Sequence, residues 1–169
     1  MVEIYTDGSC RGNGMKDSSG GFGIVAVVDG LVEFIYNEDA TETTNNREEL
    51  KAIICALELT QTDYKHNQCI IYSDSAYCVN MCKEWIWNWQ SRGWLRAGNK
   101  PIENLDLVKK IYEYLTIEFN NFDIIKIKGH NGNLGNEIAD ALATFNKAKL
   151  AKIYEKDKDK FVNGIKFDF

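Results

Sequence analysis

The chain has 169 residues, a net charge of −5 and 44% hydrophobic residues. This suits one domain with a sizeable core, and it contains no run of about 18 apolar residues able to span a membrane. The acidic balance argues against a protein that coats nucleic acid by bulk electrostatics, but not against binding at a site whose acids are neutralised by metal ions. The five cysteines (Cys10, Cys55, Cys69, Cys78, Cys82) lack CxxC spacing. Neither a disulfide framework nor structural zinc is therefore expected, and reduced thiols in a cytoplasm fit. No basic segment followed by an apolar stretch marks a signal peptide near Met1.

In the first segment Val2, Ile4 and Thr6 alternate with Glu3, Tyr5 and Asp7, the period of a strand. Gly8, Gly12 and Gly14 then end it in a turn where the backbone can pass close to a ligand. Asp7 thus stands at a strand end, where it is either ordinary turn chemistry or a carboxylate held rigidly for use. Phe22–Val28 and Leu31–Tyr36 read as a hairpin about Asp29-Gly30, giving an antiparallel meander, and polar residues 37–44 read as a loop.

Thr44, Asn45 and Asn46 are capping residues at the start of a helix whose Leu50, Ile53, Ile54 and Leu57 form a core stripe. At 100° per residue, Glu49 falls at the edge of that stripe and Glu48 nearly opposite, so Glu49 is the candidate functional acid. Cys69–Ser73 is a short apolar strand. Asp74-Ser75 follows it, as a helix cap or as a second carboxylate at a strand end. Residues 83–96 hold Trp85, Trp87, Trp89 and Trp94 among Lys83, Arg92 and Arg96. Periodicity leaves open whether this cluster is core or a protruding nucleic-acid contact.

A helix after Pro101 carries Leu105, Val108, Ile111, Tyr112 and Leu115 on one face, and Phe122–Lys128 alternates as a strand. His130 follows on a glycine-rich loop, and its unperturbed pKa of about 6.5 suits proton handling. A last helix is expected over about residues 136–149 with Ile138, Leu142 and Phe145 inward, a spacing that by itself leaves Asp140 a solvated surface acid. The mixed charges of 156–160 read as a solvated stretch, and Phe161–Phe169 could pack back on the body.

Strands, helix, strand, helices, strand and helix in this order predict an α/β domain over 1–149 and a tail of unassigned role over 150–169. Asp7, Glu49 and Asp74 gathered at one sheet edge cannot all ionise unaided. Magnesium or manganese would resolve this, because both prefer carboxylate oxygens. Two such ions about 3.5–4 Å apart would clamp the attacking and leaving oxygens of a phosphodiester displacement.

The blocks TDGSCRGN (6–13), TTNNREEL (43–50), YSDSAY (72–77) and KGHNGNLGNEIAD (128–140) resemble, in order and spacing, the signature blocks of type 1 ribonuclease H. The resemblance implies the ribonuclease H-like fold, a mixed five-stranded sheet of antiparallel meander plus parallel strands with helices on both faces. It also implies magnesium-dependent endonucleolytic cleavage of RNA in RNA–DNA hybrids, leaving 3′-hydroxyl and 5′-phosphate ends. On it, Asp7, Glu49, Asp74 and Asp140 fall on the metal-binding acids. His130 falls on the histidine that assists water activation or product release.

Cys10, Asn13, Asn45 and Asn46 match positions that face the minor groove and its RNA 2′-hydroxyls. Thr44 and Asn104 match a DNA-phosphate pocket, and Trp85, Trp89 and Trp94 match the aromatic positions of a substrate handle. Three departures accompany the match. Ala76 replaces a glutamine common after the Asp-Ser pair, Glu42 stands where the phosphate pocket often has a basic residue, and the handle is less basic than usual. The expectation is a monomeric, stand-alone cytoplasmic enzyme of bacterial or viral type, with a weaker and less salt-dependent hold on the hybrid. Two alternatives share the fold: a module that binds hybrids or structured RNA without cutting, and a metal nuclease acting on DNA.

Overall fold

The sides of β1 (Val2–Arg11) divide the molecule. Val2 and Ile4 enter one hydrophobic core, and Tyr5 enters a second on the opposite face of the sheet. The computed structural model describes all residues except Phe119, His130, Asn131 and 166–169. β1 pairs antiparallel with β2 (Ser19–Val28), which pairs antiparallel with β3 (Leu31–Thr41). On its other side β1 pairs parallel with β4 (Cys69–Ser73), and β4 pairs parallel with β7 (Phe122–Lys126). The five-stranded sheet has the order β3-β2-β1-β4-β7.

Helices cover both faces. α1 (Asn45–Gln61) lies on the face of Val2 and Ile4, burying Leu50, Ile53 and Leu57 in the first core. α2 (Ala76–Asn80) runs through a π-helical turn (Met81–Trp85) into α3 (Ile86–Ser91). This unit packs Cys78, Met81, Cys82 and Ile86 into the same core, joined there by Val108 and Ile111 of α4 (Leu105–Leu115). The opposite face carries α5 (Leu134–Ala143) and α6 (Lys147–Lys156), whose Ile138, Leu142 and Leu150 build the second core with Val25 and Val27.

Several expectations require correction. Residues 37–41 are not loop but the continuation of β3, paired with the glycine-rich start of β2 through Gly20↔Ala40 and Gly21↔Asp39. An edge strand tolerates polar residues because one side of it faces solvent. β7 ends at Lys126 rather than Lys128. A short hairpin, β5 (Leu95–Arg96) with β6 (Lys100–Pro101), turns on Gly98 and Asn99, both at positive φ, and was not anticipated.

The single helix expected over 136–149 is two helices. Phe145 breaks it at a left-handed φ of 52°, and Asn146 restarts it by accepting a hydrogen bond from the Lys149 N–H at 2.9 Å. α6 therefore runs through the expected boundary at 149/150, and part of the mixed-charge stretch forms a 3-10 turn at Lys158–Lys160. Phe161 does pack back: it is 7% exposed, its ring meets Tyr154, and it forms a parallel bridge with Val32 of β3.

α5 can lie directly on β2 because Gly23 presents no side chain to it. A methyl group there would stand 2.5 Å from the Ala139 carbonyl oxygen and 2.5 Å from Leu142 Cβ. Gly23→Ala should lift α5 from the sheet and cost about 1–3 kcal/mol. Urea unfolding should show a lower midpoint at unchanged slope, and a wild-type midpoint would mean that α5 is not seated on this glycine.

Candidate active site

The register of β1 and β4 sets the site. Thr6 is paired with Ser73, the last step of the parallel ladder, so Asp7 and Asp74 stand side by side where that pairing stops. Asp74 lies just past β4, but Asp7 is not at a strand end as expected: Gly8 does not stop β1, which continues to Arg11 paired antiparallel with β2. Asp74 is free of the capping duty it could have had, because the Ser75 side chain accepts the hydrogen bond from the Cys78 N–H and caps α2. Glu49 arrives from just past the first turn of α1, which Thr44 caps by accepting from the Arg47 N–H at 3.2 Å. Gly8 admits that turn: a Cβ there would lie 2.2 Å from the Glu49 backbone nitrogen.

One carboxylate oxygen each from Asp7, Glu49 and Asp74 lies within 4.8 Å of the others. Asp7 is 9% exposed and Glu49 8%, and Glu49 Oε2 is buried without a hydrogen-bond partner among the described residues. Burial first, then the charges of Asp74 and Asp140, pushes the Asp7 carboxyl up to about 7. Burial and the neighbouring Asp7 and Asp74 raise Glu49 well above the ordinary carboxylate range. Proteins rarely keep such a set without a compensating cation, and hard carboxylate oxygens with an orphaned buried atom among them fit a divalent ion. The acids line a cleft of about 900 Å³.

Asp140 lines the same cleft but stands apart from the converging three, on α5. It is not the solvated surface acid that helical spacing predicts: its side chain is 22% exposed and held by Lys149. His130 lies outside the described residues. Its neighbour Gly129 passes against Asp74, where a Cβ would come within 2.6 Å of Oδ2.

Cys10, Asn45 and Asn46 line the cleft beside the acids. Asn13 accepts from the Asn45 N–H at 2.8 Å, tying the glycine turn to the start of α1. Thr44 and Asn104 line a second, smaller hollow with Asn13, Asn45 and Asn46, and Glu103 also borders it. Trp85, Trp89 and Trp94 are half-buried against the first core, with Trp85 and Trp89 centroids 6.0 Å apart and the Lys109 ammonium 5.7 Å from the Trp94 ring.

Some residues escaped the sequence reading. Glu48, expected opposite the core, is fully buried, accepting from the Thr43 hydroxyl and from Lys51 at 2.9 Å. Thr43 is in turn fixed by Ser18, a loop residue whose proximity no helical wheel reveals. Arg47 donates to Asn104 at 3.2 Å and to both Asp106 oxygens, bracing the smaller hollow. Trp87 is the exposed tryptophan, 42% open beside Tyr112. Its position two residues from Trp85, on another side of the helix, was the available signal.

The RNase H family model matches residues 1–147. A protein named Ribonuclease H from Caldanaerobacter subterraneus subsp. tengcongensis is 41% identical over 145 residues, 85% of this chain and 89% of that protein. Among solved structures, a type 1 RNase H with the type 2 active-site motif is 30% identical with a TM-score of 0.66, over 84% of this chain and 69% of that one. The foamy viral protease-reverse transcriptase in complex with RNA/DNA hybrid shares the fold, with a TM-score of 0.74 at 23% identity; the likeness covers 89% of this chain but 20% of the viral one.

The raised carboxyl of Asp7 has a consequence for stability. Without divalent ions the folded state holds its proton more tightly than the unfolded chain, so stability should fall as pH rises from the ordinary 3.8 through about 7. Asp7→Asn removes that loss. In EDTA its melting temperature should match wild type near about pH 4 and exceed it by several degrees near about pH 8. Equal melting temperatures at both pH values would mean that Asp7 is not held among like charges.

Proposed function

The chain belongs to the ribonuclease H family, and from that premise we propose that it hydrolyses the RNA strand of RNA–DNA hybrids, leaving 3′-hydroxyl and 5′-phosphate ends. The observation that carries the proposal is the convergence of Asp7, Glu49 and Asp74 within 4.8 Å. A protein that only held a hybrid would gain nothing from keeping these like charges together.

In this reading Asp7, Glu49, Asp74 and Asp140 hold two magnesium ions, with manganese as a substitute. Ions bound there would supply an activated water and neutralise charge on the scissile phosphate and the departing 3′-oxygen. The protein's part is to fix the acids. Asp7 and Asp74 ride on a rigid strand pair, and Glu49 is braced by a capped helix. His130 is assigned the proton handling of water activation or product release, on its sequence position alone.

Substrate recognition is assigned to the walls. Cys10, Asn13, Asn45 and Asn46 would face the minor groove, where a 2′-hydroxyl distinguishes RNA from DNA. Thr44 and Asn104 would receive a phosphate of the DNA strand. Glu103 at that hollow should weaken its grip. Trp85, Trp89 and Trp94 would stiffen the handle against the hybrid. Residues 1–149 are assigned the catalytic unit, and the whole is read as a cytoplasmic monomer, in keeping with its five free thiols.

A cleavage assay with 5′-labelled RNA paired to DNA, beside RNA–RNA and DNA–DNA duplexes, tests the proposal. Cutting of the hybrid RNA alone, stopped by EDTA, is expected. Asp74→Asn should slow it by more than about a hundredfold, beyond the losses usual for groups outside the metal's direct ligands. No cutting by a folded protein in magnesium or manganese would overturn the enzymatic reading.

A further inference from the structure

The ammonium group of Lys149 lies 2.6 Å from Asp140 Oδ2 and 2.6 Å from Glu137 Oε2. Glu137 and Asp140 are three residues apart on α5 and so share one helix face. Lys149 comes from the first turn of α6, beyond the end of the family match at residue 147. Its backbone is fixed from two sides: the Asn146 side chain caps the helix at the Lys149 N–H, and the adjacent Leu150 is 1% exposed in the second core. All three side chains of the cluster are about three-quarters covered, at 27%, 23% and 22% exposed. The lysine is therefore delivered to Asp140 by the packing of the tail.

We propose that Lys149 is a built-in competitor of the divalent ion at Asp140, so that the cation positions of the cleft are intrinsically unequal. This rests on the metal reading above and adds to it. The three converging acids lack a cationic partner in direct contact among the described residues, whereas Asp140 already has one. A divalent ion that takes Asp140 as a ligand either displaces the ammonium group from Oδ2 or binds beside it against its charge, and the flexible stem of the lysine permits displacement without unfolding α6. Breaking a charge-assisted but partly solvated pair should weaken binding there by about tenfold, equivalent to about 1.4 kcal/mol. The Asp7, Glu49 and Asp74 position should be affected far less.

Calorimetric titration of the full chain with manganese alone, without substrate, tests this. Wild type should show a tighter and a weaker binding step. Lys149→Met, which keeps most of the stem and removes the charge, should tighten the weaker step by about tenfold and shift the tighter one by less than about twofold. Lys149→Arg, which keeps a cation in place, should stay close to wild type in both steps. Lys152→Met, which removes an equal charge from α6 without touching Asp140, should also leave the weaker step unchanged. The proposal is overturned if Lys149→Met leaves the weaker step as it was, or if Lys152→Met tightens it equally. Absence of manganese binding in every folded variant is a distinct result, and it would remove the metal reading together with the competition.

Discussion

Parallel pairing of β1 with β4 stops at Thr6 and Ser73, and an acid follows the last paired residue of each strand. Most of the site depends on that alignment. A slip of one residue would turn Asp7 to the opposite face of the sheet and separate it from Asp74. The alternation of side chains forbids the slip, because Val2 and Ile4 belong to one core and Tyr5 to the other. The two cores thus hold the position of a carboxylate as firmly as they hold the sheet.

The remaining acids reach the cleft through close approach of helices. α1 comes against β1 at Gly8, and α5 lies on β2 at Gly23; in both places a single methyl group would collide with helix backbone. Local stability is given up in return. Glu49 is buried with one oxygen unpartnered among the described residues, and burial beside Asp74 and Asp140 pushes the Asp7 carboxyl up to about 7. Strain of this kind persists only where the surrounding fold over-determines it, and here both faces of the sheet supply the support.

The legible parts of the site were those encoded locally. Asp74 is legible because the end of a short apolar strand is a sequence feature, and Glu49 because a helical wheel places it at the rim of the core. Asp7 is legible as a strand residue but not by a strand end, since β1 continues through Gly8 to Arg11 on its pairing with β2. Asp140 was misread from spacing: its shelter comes from Lys149, a residue of another helix. The burial of Glu48 is hidden for the same reason, since its partner Thr43 lies outside the helix that carries it and is itself fixed by Ser18. The division between α5 and α6 was hidden because Phe145, a residue that rarely adopts left-handed backbone, makes the break where glycine would have announced it. The late part of β3 looked like loop because an edge strand is half solvated. What the sequence conceals is tertiary in each case, and Asp140 is a candidate through the likeness between whole blocks, since its spacing gives no sign of the cleft it lines.

β3 is an outer strand of the sheet, with one row of backbone groups turned away from β2. The tail meets that row at its beginning: Phe161 bridges Val32, and the Val162 N–H donates to the Val32 carbonyl at 3.1 Å. Further along, Glu33, Glu38 and Asp39 are exposed. A short covering segment followed by charge is a known way of denying an edge to a foreign strand. Phe161 and Val162 thereby cover the start of an edge to which a second strand could otherwise add.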